Sequence, residues 1–63
     1  MASHNYIIAV GNQFFGGWGV LGEFKVVPTE NLAYRFTKIL AERNLPKMKD
    51  HFGQSCRIAV LNS

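Results

Sequence analysis

The chain has 63 residues, of which 48% are hydrophobic and 17% charged, with a formal net charge of +3. That is one small domain with an ordinary apolar content, which excludes a wholly disordered chain, and its apolar runs fall short of the ~18–20 residues of a membrane span. A chain of this size buries only about 60% of its unfolded surface, and the single cysteine, Cys56, forms no internal disulfide, so self-association is expected to add stability.

The N-terminal Met-Ala-Ser-His-Asn lacks the basic and apolar regions of a secretory signal, and one unpaired cysteine suits a reducing compartment. A cytoplasmic protein is expected. The first periodic segment is Asn5-Tyr6-Ile7-Ile8-Ala9-Val10, β-branched and bounded by Gly11, which reads as a strand. Gly11–Gly22 then holds five of the six glycines, the only tryptophan and two of the five phenylalanines, and no charge. Glycine reaches positive φ and aromatics supply contact area, so this stretch suits a tight turn with an adhesive tip.

Glu23-Phe24-Lys25-Val26-Val27 alternates and stops at Pro28, which reads as a second strand. Placing the hairpin turn at Gly16-Gly17 sets Ile7, Ala9, Phe24 and Val26 on a core face. Tyr6, Ile8, Val10 and Val27 fall on the other. The Phe14, Phe15 and Trp18 group then either projects as an exposed tip or folds back to cap the core. A shorter hairpin with an irregular glycine-rich loop is the competing picture.

Thr29 is a candidate helix N-cap, followed by Glu30 and by Leu32, Ala33, Phe36, Ile39 and Leu40 at helical spacing. Because Leu45 precedes Pro46, the helix is expected to end near Asn44. A basic connection follows, with a short helical turn over Lys47–Phe52 closed by Gly53. Ser55–Leu61 reads as the last strand, with Ile58 and Val60 toward the helix. The predicted domain, residues 1–63, is α+β in the order β-β-α-β. Its strands lie over about residues 5–15, 18–27 and 55–61 and its helix over 29–44. A right-handed return gives a mainly antiparallel three-stranded sheet of order 2-1-3, with the helix on one face and Tyr6 and Ile8 on an uncovered apolar face.

The glycine-rich segment follows a strand but lacks the Lys-Ser/Thr of a phosphate-binding loop, since Gly17-Trp18 stands there, and no helix opens after it as a dinucleotide site requires. His4, His51 and Cys56 are too few for a structural zinc site and lack ligand spacing. A catalytic Cys56 would need a base and an electropositive pocket, and a buried small hydrophobe is the simpler role. The acids Glu23, Glu30, Glu42 and Asp50 are scattered, so no catalytic, cofactor or metal site is expected and the chain reads as a non-enzyme. Charge is uneven: residues 1–30 sum to −1 and residues 31–63 to +4.

These features point to a small accessory protein of the inhibitor or adaptor type, as phages and plasmids encode. It is expected to bind and mask a partner protein through Phe14, Phe15, Trp18, Tyr6 and Ile8, and to form a homodimer. The alternative is a small nucleic-acid binder using the basic patch Arg43, Lys47, Lys49 and Arg57. The aromatics lie mostly in the other half of the chain from these cations, and no run of stacking aromatics occupies a strand.

Overall fold

The computed structural model describes residues 4–61. The chain folds as β1 (Tyr6–Val10), β2 (Gln13–Trp18), β3 (Phe24–Val27), a 3-10 turn at Glu30–Leu32, α1 (Lys38–Phe52) and β4 (Cys56–Val60). The class is α+β, as expected, but the sheet has four strands in the order β3-β2-β1-β4, every neighbour antiparallel.

The extra strand arises because the first hairpin turns at Gly11-Asn12 and not at Gly16-Gly17. Val10 faces Gln13 across a two-residue loop in which Gly11 has φ +62° and Asn12 does not enter the positive region. Glycine first is the pattern of a type II′ turn. Gly16 and Gly17 instead lie inside β2. Phe15 opposes Val26 and Gly17 opposes Lys25, so Gly16 is the extra residue of a β-bulge. Both positions need glycine. A Cβ on Gly16 would sit 2.5 Å from Val27 Cγ1, and Gly17 has φ +113°.

β1 and β2 pair only near their shared turn, at Ala9–Phe14 and Val10–Gln13. Beyond it they part, and the extended segment Tyr34–Phe36 lies between them. Tyr34 N–H donates to the Phe15 carbonyl at 2.9 Å; Phe36 and Tyr6 exchange backbone hydrogen bonds of 2.7 and 3.1 Å. This wedge satisfies backbone groups that the splayed strands would leave bare.

It also explains why the expected helix over 29–44 is absent from its first half. Thr29 makes no side-chain cap, and Ala33 is extended. The helix begins instead after Thr37, whose Oγ1 accepts a hydrogen bond from Leu40 N–H at 3.3 Å, and runs through Pro46 to a C-cap at Gly53. The Lys47–Phe52 turn and the Gly53 stop are thus the end of this one helix. Replacing Thr37 by alanine is expected to cost about 1 kcal/mol, while Thr29→Ala costs a few tenths at most, as urea titrations would show.

Leu32, Ile39 and Leu40, expected in the core, are exposed, and Val26 is partly so. The helix buries Ala41 and Met48, with Leu45 and Phe52 packed beside them. These meet Ile8, Phe15, Phe36 and Cys56, with Tyr6, Val10, Phe24 and Ile58 at the margin. Ile8 and not Ile7 therefore faces the helix, and Ile58 lies opposite it on β4. The surface of Tyr6, Ile8 and Val10 expected to be open is the covered one. Ile7 and Ala9 alternate to the other face and are buried too, so β1 is enclosed on both sides.

Candidate protein-interaction surface

The β2–β3 connection, Gly19-Val20-Leu21-Gly22-Glu23, is short and internally bonded. Gly19 N–H donates to the Glu23 carbonyl at 2.8 Å and Gly22 N–H to the Gly19 carbonyl at 3.0 Å. Gly22 has φ +83°, which a side chain would resist. The carboxylate of Glu23 accepts a hydrogen bond from Leu21 N–H at 3.0 Å, so the only charge in the loop is directed at backbone. The two residues between the glycines are aliphatic and contribute nothing to the core: Val20 is 100% exposed and Leu21 93%.

Behind this tip lies an aromatic array. Trp18, the last residue of β2, sets its ring edge-on to Phe15 at 4.9 Å and to Tyr34 at 5.2 Å. Phe15 stacks on Phe36 at 5.9 Å. The inner pair, Phe15 and Phe36, is buried, while Trp18 and Tyr34 are 42% and 43% exposed. Tyr34 reaches this position because its ring lies over Gly17, whose missing side chain leaves the space. Trp18 thus folds back onto the core and still shows a large aromatic surface beside the aliphatic tip.

Of the residues expected to bind a partner, Trp18 alone combines exposure with a place beside the tip. Phe15 and Ile8 are fully buried. Phe14 is half-buried on the opposite face of β2, against Ala9 and Val27 in register. Tyr6 is half-buried and bridged to Phe36. Val20, Leu21 and Tyr34 were not singled out by the sequence reading. The available signal was the Gly-x-x-Gly bracket around two aliphatic residues, followed by Glu23.

The basic residues do not converge. Arg43 and Lys47 are exposed, one turn apart on α1. Lys49 is half-buried and close enough to Cys56 for its charge to act on the thiol. Arg57 pairs with Ala9 and alternates with Cys56 and Ile58, so it leaves the sheet on the face away from the helix.

Cys56 is buried, and its Sγ donates to the Met48 carbonyl at 3.4 Å. Burial pushes the thiol pKa up, with Lys49 pulling weakly the other way, so the thiolate is disfavoured. His51 sits edge-on to Phe24 and Phe52, at 4.8 and 4.7 Å. Each group is therefore committed to packing or to a carbonyl. Among the described residues no His, Cys, Asp or Glu cluster is placed to hold a metal ion, no cavity opens, and no helix is long and apolar enough to cross a membrane. Compared with family models, with curated proteins and with solved structures, the chain matches none.

Proposed function

We propose that this chain is a non-enzymatic protein-binding module that inserts Val20 and Leu21 into an apolar recess of a partner protein, with Trp18 and Tyr34 seated on the recess rim. Bound in this way it masks the partner surface, as an inhibitor or adaptor does. One observation carries the reading: two fully presented aliphatic residues stand on a loop held by its own hydrogen bonds. An ordered loop loses little conformational freedom on binding. Burying a valine or leucine side chain contributes about 1.5–3 kcal/mol. Tryptophan and tyrosine beside it are the residue types that dominate interface energetics. The buried, unpaired Cys56 suits a reducing compartment, and we place the protein in the cytoplasm.

The nucleic-acid alternative has less support, because Arg57 is on the opposite face of the sheet from the helix that carries Arg43 and Lys47. The test separates the two. The immobilised chain and its Leu21→Asp variant are exposed to lysate of the native host at low and high salt. Captured partners are identified by mass spectrometry and their affinity remeasured with purified protein. Leu21→Asp should weaken binding about 30-fold, the equivalent of roughly 2 kcal/mol, with the melting temperature unchanged and salt having little effect. Binding that survives Leu21→Asp and Trp18→Ala, but is lost with Lys47→Glu and at high salt, would transfer the site to the basic helix face.

A further inference from the structure

The sheet has two edges, and they are not equivalent. β3 spans Phe24–Val27, pairs with a bulged strand, carries exposed Lys25 and runs into Pro28. These are the features that blunt an edge. β4 carries one exposed charge, Arg57, but neither a bulged partner nor a proline. It pairs residue for residue with β1 from Cys56–Val10 to Val60–Tyr6, without a bulge or proline.

The register shows which backbone groups of β4 are open. Leu61 N–H donates to the Asn5 carbonyl at 2.7 Å and Gly11 N–H to the Ser55 carbonyl at 3.3 Å. In an antiparallel pair, hydrogen-bonded and non-hydrogen-bonded positions alternate. Ser55, Arg57, Ala59 and Leu61 therefore turn their N–H and C=O toward β1. Cys56, Ile58 and Val60 turn theirs outward, away from the sheet.

We propose that β4 pairs antiparallel with β4 of a second copy about a two-fold axis at Ile58, joining two sheets into one. This register uses every outward group. Ile58 exchanges both bonds with its symmetry mate, and Cys56 does so with Val60 of the other copy. It also sets Arg57 across from Ala59. The symmetric register centred on Arg57 would oppose two like charges, which is destabilising. Val60, 55% exposed, is flanked on the helix side by Ile58, so the apolar strip continues across the junction. The two helices then lie on the same side, antiparallel. Glu42 and Lys49 are two turns apart on one stripe of α1, and the Cys56 thiol of β4 donates to the carbonyl of Met48, next to Lys49. Antiparallel helices bring Glu42 of one copy toward Lys49 of the other. β3 is at the far edge, so both Val20-Leu21 tips stay open and the dimer is bivalent.

Sedimentation equilibrium of the chain should show a dimer at micromolar concentration. Val60→Pro removes only an outward N–H and an exposed side chain, so it should fold as a monomer whose melting temperature, unlike the parent's, does not rise with protein concentration. Val60→Lys serves the same purpose if the proline variant folds poorly. Amide exchange at Cys56 and Ile58 should be slow in the parent and fast in the variant, while Arg57 and Ala59 stay protected in both. Leu21→Asp should remain dimeric, which separates this inference from the tip reading. A parent that stays monomeric well above micromolar concentration overturns it, as does a Val60→Pro or Val60→Lys variant that folds and still dimerises.

Discussion

Phe15→Ala should remove about half or more of the chain's stability and lower its melting temperature by well over ten degrees. Phe15 is fully buried and touches the rings of Trp18, Phe24, Tyr34 and Phe36, with centroids 4.9–6.1 Å away. Deleting a buried phenylalanine side chain costs about 3–5 kcal/mol, and lost aromatic pairs move the figure toward the upper end. A domain of this length has roughly 3–9 kcal/mol in all. Phe36→Ala, which removes the stacked partner, should act similarly. Trp18→Ala should cost distinctly less, because 42% of Trp18 is already in solvent. Thermal melts followed by circular dichroism rank the three. A Phe15→Ala protein melting within a few degrees of the parent would contradict the aromatic core.

Met48→Ala and Ile39→Ala should differ sharply although both residues lie on α1. Met48 is fully buried beneath the helix, and its truncation is expected to cost about 2–5 kcal/mol. Ile39 is 64% exposed near the helix start. Alanine there forfeits little burial and improves helix propensity, so the change should fall within about 0.5 kcal/mol of zero. Urea titration of the two variants decides which stripe faces the sheet. Equal losses, or a larger loss at Ile39, would mean that the helix is rotated.

The spacing of Ala41, Leu45, Met48 and Phe52 was legible as an apolar helical stripe. Pro46 concealed it, because an interior proline costs a helix about 3 kcal/mol and normally ends it. The helix continues here because Met48, Leu45 and Phe52 beyond and beside the proline are drawn into the core, and their burial offsets that cost. The rival stripe over Leu32, Ala33, Phe36, Ile39 and Leu40 has the same period, and local propensity does not separate the two. The splayed strands decide: they need an extended segment at Tyr34–Phe36 for their backbone groups, and no helix can supply it.

The amino-acid sequence by itself determined the α+β class, the strands over Tyr6–Val10, Phe24–Val27 and Cys56–Val60, the stop at Pro28 and the close of a helical turn at Gly53, though not that this turn belongs to the one helix. Each rests on side chains acting within a few residues: β-branching, alternation, or a ring without an N–H. The use of each glycine pair was not local. Gly11-Asn12 and Gly16-Gly17 both suit a two-residue turn, and a slip between them reverses which side chains face inward. Tertiary packing chose Gly11, because only that register points Ile8 and Phe15 together at the helix and leaves Gly16 and Gly17 for the bulge and for the Tyr34 ring. The same choice moved the exposed tip from Phe14–Trp18 to Val20-Leu21. Which aromatics are core and which are surface was therefore settled by long-range contacts that no window of neighbouring residues contains.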